Sequence, residues 1–179
     1  MSRLPQALLL AFLPVLAWSG FHPKDLLTWV LEVLPAVAGA VLLAWTYRRF
    51  RFTDLAYVLM ALHALILVVG GHYTYAEVPA GNWARDLMGL ARNPYDRLGH
   101  LAQGFIPALV ARELLLRLTP LRPGGWLNTL VVSVCLAISA VYELLEWAAV
   151  MASGSAADAF MGTQGDPWDA QWDMACAFL

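Results

Sequence analysis

The chain has 179 residues, of which 60% are hydrophobic and 13% are charged, and its formal net charge is −2. This apolar share exceeds that of ordinary soluble domains and predicts an integral membrane protein. The 11 Lys and Arg residues form no cationic stripe of the kind that a phosphate backbone requires. The composition therefore excludes nucleic acid and leaves the lipid bilayer as the expected partner.

The apolar runs predict an all-α fold, a polytopic transmembrane helical bundle of about six spans. The spans are expected at 4–20, 26–47, 54–72, 96–119 and 126–152, and the sixth begins near 169. This last run reaches Leu179 too soon to cross a bilayer, so we expect the native chain to continue or the segment to be a stub. The first run has a cleaved signal peptide as its alternative interpretation.

Basic residues in the connections predict the orientation of the spans. Arg48, Arg49 and Arg51 crowd the second connection, while Arg117 and Arg122 flank the connection after the fourth span. Because cytoplasmic loops carry an excess of Lys and Arg, we expect a multi-pass protein with a cytoplasmic N-terminus. The outward-facing segments are then 21–25, 73–95 and 153–168.

The sequence indicates one membrane domain, 1–179, with a long outer loop at 73–95. In this loop Trp83, Leu87 and Leu90 recur at helical spacing opposite a charged face. That pattern predicts a short helix lying along the membrane interface. We expect it to cover the polar residues beneath it.

Polar residues converge near the outer ends of the fourth and fifth spans. Asp96 and His100 lie four residues apart and therefore share a helix face, which Gln103 continues one turn deeper. Glu143 and Glu146 are three residues apart in the fifth span and also share a face, with a structural salt bridge as the alternative reading. Charged groups inside hydrocarbon are costly, rare and usually functional.

The third and sixth spans add polar residues at the same level. Asp169 and Asp173 begin the sixth span one helical turn apart, and His72, Tyr75 and Glu77 follow or close the third span. Four helix ends should thus bring carboxylates and imidazoles together near the outer surface.

Such a group of carboxylates predicts a bound cation. In low dielectric these acids would repel each other and take up protons unless a cation neutralises them. Pairs at i,i+3 and i,i+4 on facing helices are how bundles build carboxylate and histidine sites. The ligand types suit a divalent ion, Mg²⁺, Mn²⁺, Fe or Zn²⁺. The candidate metal ligands are Asp96, His100, Glu143, Asp173, His72 and Glu77.

Several of these residues have a structural alternative. Asp96 and Asp169 stand where acids cap helix starts, and such a cap is compatible with a site. Asp96 can also pair with Arg97 or Arg92 at the headgroups. A neutral packing histidine is the alternative for His100.

The segment before the sixth span suggests an anion site. In "FMGTQGDPWD", Gly162 and Gly165 permit backbone conformations that point amides into a cavity, with Thr163 and Gln164 between them. The following helix start is electropositive, so an anionic head group is one expected ligand. An ordinary polar turn is the alternative.

Five blocks of sequence carry a family resemblance: "GGHYTYAEVP", "NPYDRLGHLAQGF", "ARELLLR", "YELLEW" and "GTQGDPWDAQWDM". Over about 70–174 the chain resembles the YjdF-type bacterial inner-membrane proteins, a family of unknown function. The resemblance implies a multispanning inner-membrane protein and supplies no activity. The signature polar positions that it implies are His72, Tyr75, Glu77, Asp96, Arg97, His100, Glu143, Glu146, Asp166, Asp169 and Asp173.

A weaker similarity is to VanZ-like membrane proteins. In these an Asp-x-x-x-His helix start precedes an inward Glu and then an Asp that opens a later span. Asp96, His100, Glu143 and Asp169 or Asp173 follow that order. VanZ-like proteins are associated with glycopeptide tolerance at the cell envelope, a role that four residues do not transfer.

The sequence predicts a metal-binding polar site that opens to the periplasmic side, and one function for such a site is a metal-dependent hydrolase or transferase that acts on a lipid or isoprenoid-linked envelope precursor at the outer leaflet. A bound metal can activate water while Glu146 or Asp169 serves as the base, and Arg97 would hold a phosphate. The alternatives are a binding or transport protein for a cation, proton or amphiphile, and a purely structural metal site. The candidate substrate-binding residues are Arg97, Tyr75, Gln103, Thr163 and Gln164.

Overall fold

The computed structural model describes residues 3–153 and 158–179, and all regular elements in these ranges are helical. The all-α prediction is confirmed. Residues 154–157 of the predicted outer connection lie outside the described part. The helices are α1 (Leu4–Ser19), α2 (Leu26–Thr46), α3 (Asp54–Tyr73), α4 (Pro79–Met88), α5 (Tyr95–Leu118), α6 (Gly125–Ser153), α7 (Asp158–Met161) and α8 (Asp169–Phe178), with a 3-10 turn at Tyr75–Glu77.

Side-chain caps explain where two of the long helices begin. Asp25 precedes α2, and its Oδ1 accepts a hydrogen bond from the Thr28 backbone N–H at 2.7 Å. Thr53 precedes α3, and its Oγ1 accepts a hydrogen bond from the Ala56 backbone N–H at 3.3 Å. These caps satisfy amides that a helix start leaves without an intrahelical partner.

Three helices, α2, α3 and α6, are long and apolar enough to cross a membrane, and α1 is a shorter apolar helix. Apolar side chains such as Leu42, Leu62 and Leu144 project outward from these three and are more than 45% exposed. A soluble monomer rarely exposes so many large apolar groups, whereas hydrocarbon solvates them. Although α5 has 24 residues, it carries charged residues in its first and last turns.

The bundle is built around α3 and α5. Both α1 and α2 pack on α3, α3 packs on α5, and α5 also contacts α6 and α8. Phe12, Val33 and Val68 form the buried contact of α1, α2 and α3. A Cβ on Gly104 of α5 would collide with the backbone of Ala177, so the glycine allows α8 to approach α5 closely. Because α5 lies between its neighbours, its polar first turns face three other helices.

The outer segment after α3 is anchored by Tyr75. Its ring occupies space that side chains at Gly70 on α3 and Gly99 on α5 would fill, and a Cβ on Gly99 would lie 3.0 Å from it. Burial, followed by the charge of the nearby Glu32, raises the pKa of the Tyr75 phenol well above its usual value. The phenol is therefore neutral and joins the 3-10 turn to two helices.

Asn93 fixes the same segment to the start of α5. The residue is fully buried, and its Nδ2 donates to the Val78 carbonyl and to Asn82 Oδ1, both at 3.0 Å. Its Oδ1 accepts from the Tyr95 backbone N–H at 3.0 Å. The helix α4 forms within the predicted outer loop and exposes Trp83; its location at the membrane interface stays a prediction.

Candidate metal centre

His100 lies at the middle of the polar cluster, where carboxylates from three helices surround one imidazole nitrogen. Its Nε2 is 3.6 Å from Asp96 Oδ1, 3.7 Å from Glu143 Oε1 and 3.9 Å from Asp173 Oδ1. These separations exceed a hydrogen bond. They are close to the roughly 3–4 Å that separates two donor atoms bound to one metal at about 2.1 Å.

Two groups of potential ligands share this histidine. Asp96, His100 and Asp173 form one, and His100, Glu143 and Glu146 form the other. Within each group one ligand atom of every residue lies within 4.8 Å of the others. The four carboxylates come from α5, α6 and α8, so the centre depends on the mutual packing of these helices.

Within the described ranges, several polar atoms in the cluster are buried without a hydrogen-bond partner. They include His100 Nδ1, Gln103 Nε2 and Glu143 Oε1. Burying such a group without a partner costs about 1–3 kcal/mol, so each indicates a ligand or an ordered water. Both His100 and Gln103 are at least nine-tenths buried.

Two arginines neutralise part of the acidic charge. Arg97 Nη2 donates to Asp169 Oδ1 at 2.8 Å, and its Nη1 donates to Asp173 Oδ1. Arg92 donates to Asp96 Oδ2 at 3.0 Å and also to Asp169 Oδ1. The pairing of Asp96 with Arg92, an alternative that the sequence raised, is present in the structure.

The two arginines contact four of the six carboxylates in the cluster, but their charges balance only two of the six. In the described part of the chain, six carboxylates of this cluster face two guanidinium groups, those of Arg92 and Arg97. Glu143 and Glu146 form no ion pair with either arginine. Unpaired carboxylates at low dielectric require protons or a further cation. The carboxylates are Asp96, Glu143, Glu146, Asp166, Asp169 and Asp173.

A cavity of about 110 Å³ adjoins the centre on the side of α2 and α3. His100, Gln103 and Glu146 line it from the cluster, and Glu32 lines it from α2. Glu32 is 3% exposed, and its Oε2 accepts a hydrogen bond from the Tyr142 hydroxyl at 2.7 Å. The polar region thus extends beyond the residues that sequence spacing indicates.

The structure does not bring two of the predicted metal ligands into either ligand group. His72 Nδ1 bonds the Ser19 carbonyl at 2.9 Å, and its ring lies 4.4 Å from that of Trp18. Glu77 pairs with Lys24 at the surface. Both side chains turn toward the α1–α2 side of the bundle, away from α6 and α8.

The predicted substrate-binding residues are divided between structural contacts and the cavity. Gln164 binds the Asn93 backbone twice, accepting at 2.9 Å and donating at 3.1 Å. Thr163 Oγ1 accepts from the Gly165 N–H at 3.4 Å, as in a polar turn. Arg97 is engaged by carboxylates, while Tyr75 and Gln103 line the cavity.

A family model described as "Predicted membrane protein (DUF2238)" matches residues 4–179. The chain is also 53% identical to the inner membrane protein YjdF of Escherichia coli (strain K12) over 165 residues, which are 92% of this chain and 79% of that protein. The chain belongs to the DUF2238 family. It is therefore an integral membrane protein, as the sequence predicts. No solved structure matches it, and the similarity to VanZ-like proteins stays a prediction.

The residues predicted from the sequence of this DUF2238 protein include neither Glu32 nor Tyr142. Glu32 stands in an apolar span beside Pro35, and an acid in such a place is a functional candidate by default. The sequence alone therefore identifies Glu32 as a candidate functional residue. Its pairing with Tyr142, 110 positions away, follows only from helix packing.

Proposed function

We propose that this membrane protein binds a divalent cation at His100 and uses it in a hydrolase or transferase reaction on an amphiphilic, lipid-linked substrate. The observation that carries the proposal is the position of His100 in two ligand groups, one with Asp96 and Asp173 and one with Glu143 and Glu146. The excess of carboxylates over guanidinium groups supports the same conclusion.

The roles of the residues follow from their contacts. A bound divalent ion would polarise a phosphoryl or acyl oxygen and activate a water molecule. Glu146 is buried, lines the cavity and has no ion-pair partner, so it is the better candidate for general base. Asp169 accepts hydrogen bonds from both Arg92 and Arg97, which favours a role in holding α8 against α5.

Metal analysis of the protein purified in lipid nanodiscs tests the cation site. We expect His100→Ala and Glu143→Ala to lower the content of Mg, Mn, Fe or Zn by tenfold or more, because each removes a ligand. The matched controls are His72→Ala and Glu77→Ala, which remove the same side chains outside the ligand groups. Unchanged content in the first pair, or equal losses in both pairs, rejects the site.

Catalysis needs a separate assay. Release of inorganic phosphate from a polyprenyl diphosphate should require the divalent ion and should fall at least a hundredfold in Glu146→Gln. The metal content of this variant separates loss of the general base, with metal retained, from loss of a ligand. Metal binding without any turnover in this assay or in a parallel acyl-ester assay favours the structural role of the metal.

A second candidate function is binding or transport of a cation or proton. It is supported by Glu32 and His63, which line the cavity and extend the polar region toward α2 and α3. Cation or proton flux into proteoliposomes, compared between the unaltered protein and Glu32→Gln, distinguishes this function from catalysis.

We further propose that the cluster faces the periplasm, with the N-terminus in the cytoplasm of the inner membrane. In a Cys135→Ala, Cys176→Ala background, an impermeant maleimide added to intact spheroplasts should label Arg85→Cys and leave Arg49→Cys unlabelled. The reverse pattern would invert the orientation.

A further inference from the structure

A long apolar groove lies between α1, α2 and α3, outside the polar cluster. Its volume is about 410 Å³. On α2 its lining runs from Pro35 to Tyr47, a rise of roughly 18 Å at 1.5 Å per residue. This is comparable to the hydrocarbon depth of one leaflet, half of a core about 30 Å thick. Gly39 lines the groove, and a Cβ there would meet nothing within 4 Å.

The groove and the polar cavity share a wall. Pro35 on α2 and His63 and Leu67 on α3 line both spaces and therefore form the partition between them. His63 forms no hydrogen bond within residues 3–153 and 158–179. Its imidazole can therefore change rotamer without breaking a hydrogen bond.

Glu32 lies one turn before Pro35 and on the cavity side of this partition. The side chain is 3% exposed, its hydrogen-bond partners are the hydroxyl groups of Tyr142 and Tyr75, and no Lys or Arg in the described ranges lines the cavity. The proposed metal site does not use Glu32. A carboxylate in the membrane interior is costly unless it is paired, so the cavity is complementary to a cationic group.

The opposite end of the groove is positively charged. Tyr47 ends the groove on α2, and the Arg51 guanidinium lies over its ring at 4.4 Å from the centroid. Arg48 and Arg49 adjoin it in the sequence. A cationic head is repelled at this end and attracted at Glu32, so charge sets the direction in which an amphiphile would lie.

We propose that the groove binds the hydrocarbon chain of a long-chain amine whose ammonium head passes His63 and pairs with Glu32. This assignment goes beyond the proposed metal function: Glu32 and the groove contribute no metal ligand, while the cavity that receives the head is also lined by Asp96, His100 and Glu146 of the proposed metal centre. The chain reaches the protein laterally from the bilayer, and the head reaches the inner side of the polar cluster.

Photolabelling in nanodiscs of zwitterionic lipid tests the assignment. The probe is a long-chain alkyl amine with a diazirine at the chain end, and alcohol and phosphate probes have the same chain. We expect the amine probe to label α2 and α3 residues of the groove, such as Ala40 and Met60, at least tenfold more than the alcohol probe. Excess EDTA should not lower this labelling, because Glu32 is not one of the proposed metal ligands.

Two pairs of variants sharpen the test. Glu32→Gln keeps the side-chain volume and an acceptor for Tyr142 but removes the charge. It should lower labelling about tenfold, whereas the control Glu77→Gln should leave labelling unchanged. Gly39→Trp fills the groove and should abolish labelling, unlike Leu42→Trp on the exposed face of α2. Ala40→Leu is the second groove-filling variant if Gly39→Trp unfolds.

Four results would overturn the assignment. One is equal labelling by the amine and the alcohol, and another is full labelling of Glu32→Gln. The third is preferred labelling by the phosphate probe, which would instead assign the groove to an anionic lipid held at the arginine end. Loss of labelling with EDTA would show that the head binds the metal centre and not Glu32.

Discussion

Arg97 on α5 and Asp169 on α8 form a two-point contact, in which Arg97 Nη1 binds the Asp169 carbonyl at 3.1 Å and Nη2 binds Oδ1 at 2.8 Å. Asp169 is buried, and Arg97 is about one-fifth exposed. Since the same guanidinium also binds Asp173, it holds the first turn of α8 against α5. Arg97 therefore positions Asp173, a carboxylate of the candidate metal centre.

Removing Arg97 should destabilise the protein strongly. Arg97→Ala leaves buried carboxylates without their partner, so we expect the free energy of unfolding to fall by about 3 kcal/mol. Arg85→Ala removes an arginine from an exposed pair with Asp86 and should cost at most about 1 kcal/mol. Reversible unfolding in mixed micelles measures both. Similar losses in the two variants would show that Arg97 does not hold α8.

Two glycine-to-alanine substitutions should have opposite effects, because Gly70 packs against Tyr75 and Gly39 faces open space. A Cβ at Gly70 would overlap the Tyr75 ring, so Gly70→Ala should destabilise the protein by about 1–3 kcal/mol. Gly39→Ala meets open space in a helix and should stabilise it by about 0.5–1 kcal/mol. Thermal unfolding compares them. The cost of Gly70→Ala should shrink in a Tyr75→Ala background, and a cost that persists there would reject the overlap as its cause.

Substitution of Asn93 should lower stability strongly, although this residue lies outside the predicted spans. Asn93→Ala removes three hydrogen bonds at a fully buried position and leaves the Val78 carbonyl without this donor, so we expect a loss of about 2–3 kcal/mol. The matched control is Asn128→Ala, because Asn128 is exposed at the start of α6. Its cost should stay within about 0.5 kcal/mol. Chemical unfolding checks both, and equal midpoints would contradict a structural role for Asn93.

Local sequence patterns predict the helices and the residues that share a face on each helix. The apolar runs predicted each long helix to within one or two residues, and the i,i+4 spacing correctly joined Asp96 to His100 on α5. These features depend on the helical period, which the sequence carries locally.

Contacts between helices could not be predicted in the same way. The rotation of α3 turns His72 toward Ser19 and away from the cluster, although its position in the chain is at the right level. Arg97 was expected to hold a phosphate, yet the packing of α8 brings Asp169 and Asp173 to it. Such outcomes depend on helix rotation and on close approaches at glycines, which no single helix encodes.

The hydrogen bond from Tyr142 to Glu32 predicts a coupling between α6 and α2. Tyr142→Phe removes a donor to a buried carboxylate and should lower the free energy of unfolding by about 2 kcal/mol. In a Glu32→Gln background the same substitution should cost about 1 kcal/mol, because the acceptor is then neutral. Tyr73→Phe, at a half-buried tyrosine whose described contacts are ring packing, is the control and should change stability little. A double-mutant cycle of reversible unfolding measures the coupling. An equal cost of Tyr142→Phe in both backgrounds would contradict an energetic coupling between Tyr142 on α6 and Glu32 on α2.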